Sequence, residues 1–232
     1  MTKFVFNWTS GAGGDFLLAL IMMQKYPDIN HYVEVNKVTN IWQLTTPKIV
    51  RSVKQGYDNE QHHLDAYNNM DPDNTLQTHL VGPELRNIAD KIVNIHAKNI
   101  KTRAYLHVLY NCKTKRTEYY DDAKSVPGQH IIPNALNIDY DDLFRNEIAI
   151  TKLFNYYDIK QFDVSFVFNL LQMYKIMNDK LITGRFYTHD QFKDNETYTM
   201  WIRDFQEANI FFKNEWQERV KTQMKKSQGK ME

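Results

Sequence analysis

The feature that most constrains this chain is its opening, KFVFNWTSGAGGDFLLALIMMQKY (3–26), where Gly11, Gly13 and Gly14 separate two apolar runs. Phe4-Val5-Phe6 reads as a strand. The run DFLLALIMMQKY reads as a helix, with Phe16, Leu17, Leu20, Ile21 and Tyr26 on its apolar stripe and Pro27 as its stop. A strand, a glycine-rich turn and a helix in succession begin a βαβ unit, whose setting is a parallel sheet. Ligands of such sheets bind beyond the carboxyl ends of the strands. Free N–H groups and the positive end of the helix dipole converge there, and glycine lets the backbone approach an anion. The turn therefore predicts a phosphate-type site built from Thr9, Ser10, Gly11, Ala12, Gly13 and Gly14. A structural reading competes with it: Gly13-Gly14 make a tight turn and Asp15 caps the helix. The turn matches neither common nucleotide motif. It has Gly-Gly-Asp where a Walker loop needs Gly-Lys-Ser/Thr, and Phe16 where the dinucleotide fingerprint needs its last glycine.

Strands and helices alternate over the first two thirds of the chain. TLQTHLV (75–81), KIVNIHA (91–97) and NALNIDY (134–140) read as further strands. GPELRNIAD (82–90) reads as a turn with a short helix, and KNIKTRAYLHVLY (98–110) has helical spacing. DDLFRNEIAITKLFNYY (141–157) reads as one helix capped by Asp141 or Asp142, with Phe144, Ile148, Leu153 and Phe154 turned inward. The segment between the first and second strands is weakly periodic. Residues 35–53 are compatible with a helix, and 59–74 with a loop or short helix ending in a turn at Asp71-Pro72-Asp73. From 160 onward the pattern is helical and rich in aromatics. The expected fold is α/β: a three-layer αβα core over 1–160 around a central parallel sheet, with a helical C-terminal part, 161–232, packed on the same domain.

Composition narrows the function classes. The 232 residues are 42% hydrophobic and 25% charged, as expected of a soluble globular chain with a real core. A formal charge of +1 argues against a nucleic-acid partner, and no apolar run approaches membrane-spanning length. Cys112, the single cysteine, excludes an internal disulfide and suits a reducing compartment, so the expected location is cytoplasmic. His62-His63 have no second pair at zinc spacing, so no metal is expected.

A family resemblance rests on four segments in order. LQTHLVGPEL (76–85) and KIVNIHAKNIKTRAYLHVLY (91–110) resemble the central part of cytosolic sulfotransferases, in which a strand carrying Lys-Thr-His-Leu-Pro leads to a short helix and a strand ending in Arg-Asn-Pro opens another. Thr78-His79-Leu80 match, Gln77 stands for the lysine, and Lys98-Asn99-Ile100 stand where Arg-Asn-Pro would be. LNIDYDDLFRNEIAITKLFNYYDI (136–159) is similar to the family's Tyr-Glu-Asp-Leu segment, and TSGAGGDF occupies the place of its phosphosulfate loop. The resemblance covers residues 3–159. It implies a fold of the P-loop NTPase-like type, the donor 3′-phosphoadenosine 5′-phosphosulfate (PAPS), and sulfuryl transfer to a hydroxyl or amine of a small-molecule or glycan acceptor. By position, His79 is the general base, residues 9–14 hold the 5′-phosphate, and Lys98 contacts the 3′-phosphate.

The departures are chemical. Thr9 replaces the loop lysine, Gln77 replaces the lysine near the base, and Leu106 falls where a phosphate-binding serine belongs. TGRFYTH (183–189) is a faint echo of the C-terminal donor clamp. Losing one preorganised charge costs roughly two to three orders of magnitude in rate. Either Arg103, Lys101 or Arg185 supplies the missing charge, or this chain no longer catalyses the transfer. Two alternatives stand beside the sulfotransferase: a nucleotide or nucleoside kinase, disfavoured by the absent Walker lysine, and a catalytically silent binding or assembly protein. The second would use the aromatic C-terminal helices, which also suit a homo-oligomer. His79 as a satisfied core histidine is the bland counterpart of the catalytic reading.

Overall fold

A computed structural model describes residues 2–8, 13–26, 29, 32–35, 42–52, 60–79, 81–99, 102–103, 105–106, 109 and 131–183. The first strand, β1 (Phe4–Trp8), is buried along its whole length. That is why FVFNW shows no clean alternation: a central parallel strand is covered on both faces. It is followed by α1 (Gly14–Lys25), β2 (Tyr32–Val35), β3 (Trp42–Thr45), β4 (Ile49–Arg51), α2 (Glu60–Asn69), β5 (Thr75–Thr78), α3 (Pro83–Ile88), β6 (Lys91–His96) and β7 (Leu136–Asp139). Three helices complete the described fold: α4 (Tyr140–Arg145), α5 (Glu147–Tyr156) and α6 (Val164–Thr183).

Five strands form one sheet in the order β4-β5-β1-β6-β7, and every pairing in it is parallel. The glycine-turn strand is therefore central, with β5 on one side and β6 on the other. Its outer faces belong to different layers. Phe4, Phe6 and Trp8 pack with α1, α4, α5 and α6, whereas Val5 packs with Leu64 and Tyr67 of α2 and Leu85 of α3. Helices thus cover both faces, as a parallel sheet requires.

Two expectations change. Residues 35–53, read as compatible with a helix, instead contain β3 and β4. β3 pairs antiparallel with β2 in a separate two-stranded sheet, and β4 joins the edge of the main sheet beside β5. Such short strands carry too few residues for a period to show, and partner strands hold them in place. The single helix expected over 141–157 is two. Asn146 adopts an extended conformation (φ −161°, ψ 169°) and its side chain accepts from the Ile148 amide, ending α4 and capping α5. The cap of α4 is Asp139, which accepts from the Asp141 amide. The break turns Ile148 outward to 61% exposure while Ile150, Leu153 and Phe154 are buried. Helix α6 supplies the described portion of the expected C-terminal helical part. Residues 184–232, including TGRFYTH beyond Thr183 and the Trp201–Trp216 aromatics, lie outside the described residues.

Candidate functional site at the carboxyl edge of the sheet

The chain leaves β1 at Trp8 and enters α1 at Gly14, and Gly13 occupies the N-cap position. Gly13 is left-handed at φ 71°, where a side chain is strained, and its carbonyl accepts the first helical bond from Leu17 N. The N-cap position is therefore held by a residue without a side chain. Both glycines are also crowded. A Cβ on Gly13 would fall 2.7 Å from Cε1 and the hydroxyl oxygen of Tyr174, and one on Gly14 would run into the Trp8 indole. The protein's own rings explain why glycine is needed at 13 and 14. Thr9, Ser10, Gly11 and Ala12 lie outside the described residues.

His79 stands directly past the end of β5, beside the end of β1. Its Nδ1 lies 2.9 Å from the Trp8 carbonyl oxygen, and its ring meets the Trp8 indole edge-on with centroids 4.5 Å apart. A carbonyl only accepts, so Nδ1 carries the hydrogen and the neutral ring keeps its lone pair on Nε2. Trp8 thus touches both Gly14 and His79, which puts the imidazole one indole away from the start of α1. Sequence order alone leaves His79 65 positions from Gly14 and 71 from Trp8, so folding must bring them together. The parallel pairing Asn7↔Thr78 does it.

The two cations differ in setting. Lys98 is exposed just beyond β6, on the same edge of the sheet. Arg103 is half-buried in the helical residues that follow, and its guanidinium Nη2 donates to the Lys98 carbonyl at 3.4 Å. Lys101 and Arg185 lie outside the described residues. Gln77, at the place of the family's second lysine, is buried on β5 opposite Phe6. Leu106 is fully buried in the core and offers no hydrogen bond.

A row of polar groups, buried except at its half-buried end Asn137, lies just behind this edge, and sequence reasoning missed it. In register across the sheet stand Thr78 of β5, Asn7 of β1, Asn94 of β6 and Asn137 of β7. Asn7 Nδ2 donates to Asn94 Oδ1 at 2.8 Å, and Asn94 Nδ2 donates to Asn137 Oδ1 at 2.8 Å. Asn137 Nδ2 then donates to the carbonyls of Ile132 and Ala135. On the other side Thr78 and Ser52 both reach the buried His63 of α2. A signal was present: FNW, VNI and LNI each place one asparagine between apolar residues of a strand. Two positions beyond Asn94, His96 is 1% exposed, and burial lowers its pKa.

Compared with known proteins, the chain matches no family model, no curated protein and no solved structure. An imidazole bonded to the Trp8 carbonyl, an exposed lysine and an arginine stand past the carboxyl ends of β5 and β6. The space against Gly13 and Gly14 is taken by Tyr174 and Trp8.

Proposed function

We propose that the chain is a sulfotransferase-like group-transfer protein of the P-loop type. In this reading it binds an adenosine 3′-phosphate nucleotide at the carboxyl edge of β1, with His79 as the general base. The observation that carries this reading is the His79–Trp8 hydrogen bond. It holds a base with its lone pair on Nε2 at the carboxyl end of the central strand, where the sheet order reverses and ligands of parallel sheets collect. Lys98 and Arg103 would hold the 3′-phosphate, the former as a point charge and the latter through its planar fork. PAPS would supply the sulfuryl group, already bonded to a phosphate able to leave. Nε2 of His79 would take the proton of an acceptor hydroxyl or amine as its oxygen or nitrogen bonds to sulfur. General-base assistance of this kind is worth about two to four orders of magnitude.

A second reading has its own observation. Trp8 and Tyr174 fill the space that the glycines open, as they would in a catalytically silent relative that keeps the fold for binding or assembly. The magnesium-dependent kinase remains the third.

Isothermal titration with adenosine 3′,5′-bisphosphate separates them. The sulfotransferase reading expects saturable heat by the millimolar range without magnesium. It also expects a His79→Ala variant that still binds but loses about 100-fold or more in sulfuryl transfer. Absence of heat from a folded sample would remove the donor assignment, and heat only with ATP and magnesium would favour the kinase.

A further inference from the structure

Lys25 ends α1 at the amino edge of the sheet, opposite the edge that carries His79, and its amine stands beside aromatic rings. We propose that Lys25 is the nucleophile of a second site, where it condenses reversibly with the carbonyl of a small anionic aldehyde or keto acid drawn in by Lys48 and Lys91. This site is independent of the nucleotide reading.

The cluster is built where strands begin. Lys25 Nζ lies 4.2 Å from the ring centroid of Phe4, the first residue of β1, 5.5 Å from that of Tyr26 and 5.7 Å from that of Tyr157. Lys91, the first residue of β6 and in register with Phe4, reaches the same Phe4 ring at 5.3 Å. Lys48, just before β4, reaches the same Tyr26 ring at 5.1 Å. Three amines thus share two rings, and they are not equivalent. Lys91 donates to the Tyr156 carbonyl at 2.8 Å and pairs with Asp158 at 3.0 Å. The Tyr26 hydroxyl donates to the Asp73 carbonyl at 2.7 Å. Among the described residues, no hydrogen bond or ion pair reaches Lys25 Nζ.

An amine in that setting is a nucleophile. A lysine ammonium is strongly hydrated, and rings displace its water without offering a carboxylate in return. Burial lowers the Lys25 pKa, Lys91 and Lys48 push in the same direction, and Asp73 and Asp158 oppose the shift without cancelling it. The neutral amine keeps the lone pair that attack on a carbonyl carbon needs. A C–N bond forms as the C=O bond breaks. The carbonyl oxygen leaves as water with two protons from the amine, the product is an imine, and nothing is oxidised or reduced. Lys48 and Lys91 supply the positive charge that attracts a carboxylate or phosphate on the incoming molecule. Lys25 is only half-buried, so a small molecule can reach it.

The test treats the folded chain with pyridoxal 5′-phosphate, or with pyridoxal, which lacks the phosphate. Imines are trapped with borohydride and the labelled lysines are mapped by mass spectrometry, with the exposed Lys160 as internal reference. With pyridoxal 5′-phosphate, Lys25 is expected to label about tenfold faster than Lys160 or more, because a larger neutral fraction combines with local attraction of the phosphate. With pyridoxal the ratio is expected to fall while still favouring Lys25. Lys48→Met is expected to bring the two reagents closer together. Equal labelling of Lys25 and Lys160 by both reagents would overturn the site, leaving a lysine whose stem merely packs on Phe4. A raised ratio that is the same for both reagents would overturn the anionic partner. If Lys48→Met fails to fold, competition by inorganic phosphate in the unsubstituted chain decides: slower labelling of Lys25 by pyridoxal 5′-phosphate alone upholds the attraction, and no slowing rejects it.

Discussion

Asn94 shows how much one buried side chain decides. Its amide is the middle of the Asn7–Asn94–Asn137 row and both its polar ends are used, in a residue fully removed from water. An amide inside a sheet costs free energy unless it is bonded, and a pair of neighbouring amides offers the bond only in the correct register. The row therefore pins the β1, β6 and β7 ends against slippage by one residue, which would turn each asparagine to the other face. Replacing Asn94 with leucine leaves Asn7 Nδ2 without its acceptor. We expect a loss of about 2–3 kcal/mol, read as a lower urea midpoint at unchanged slope. A midpoint equal to that of the unsubstituted chain would show that the row contributes nothing. The same logic separates the glycines from the histidine. Gly13 and Gly14 were legible as special, because glycine pairs at a strand-to-helix junction are rare without cause. Which atoms need the space was not legible, since Tyr174 comes 161 positions later.

At the scale of elements, the strong periodic segments were readable and the short ones were not. Helix α1 could be seen because its apolar run is long, although the structure buries Leu18, Ala19 and Met22 as well as the expected stripe. A helix packed against β1, against β3 and, through Phe16, against Tyr174 of α6 is buried all round from Phe16 to Met22. β4 escaped notice because its three residues take their conformation from pairing with β5. The split between α4 and α5 turns on Asn146 alone, a residue whose short amide competes with the helix for its own backbone. Asn146→Ala removes the acceptor for Ile148 N, with a predicted cost of about 1 kcal/mol and a lower melting temperature. Since Asn146 is exposed, packing is untouched, so a stabilised or unchanged variant would contradict the cap. The far end of α5 closes in a similarly local way. Asp158 adopts φ 63°, Ile159 N bonds back to the Phe154 carbonyl, and Lys91 pairs with the Asp158 carboxylate at 3.0 Å. This is a Schellman-type ending with aspartate in the place glycine usually takes.

At the scale of the molecule, the described residues build a five-stranded parallel sheet with a different helical layer on each face, and the pH response follows from what that arrangement buries. His96 is enclosed at the end of β6, and desolvation lowers its pKa from the ordinary value of about 6.5. The unfolded chain therefore binds a proton at a higher pH than the folded one. Above that value neither state is protonated and the histidine is neutral to stability. As pH falls below it, the unfolded state gains protons first and stability declines until the folded pKa is passed. Urea midpoints are expected to drop between pH 7 and pH 5, and less steeply in His96→Leu. Identical slopes in the two proteins would exclude His96 as a contributor. Sequence alone determined the alternation of strands and helices and the presence of a special turn, because these are written in neighbours two to four residues apart. Only the tertiary structure decided the strand order, the asparagine row, the tautomer of His79 and the ring seated on Gly13. Each of those depends on partners dozens of residues away, whose approach is set by how the layers close around the sheet rather than by any local period.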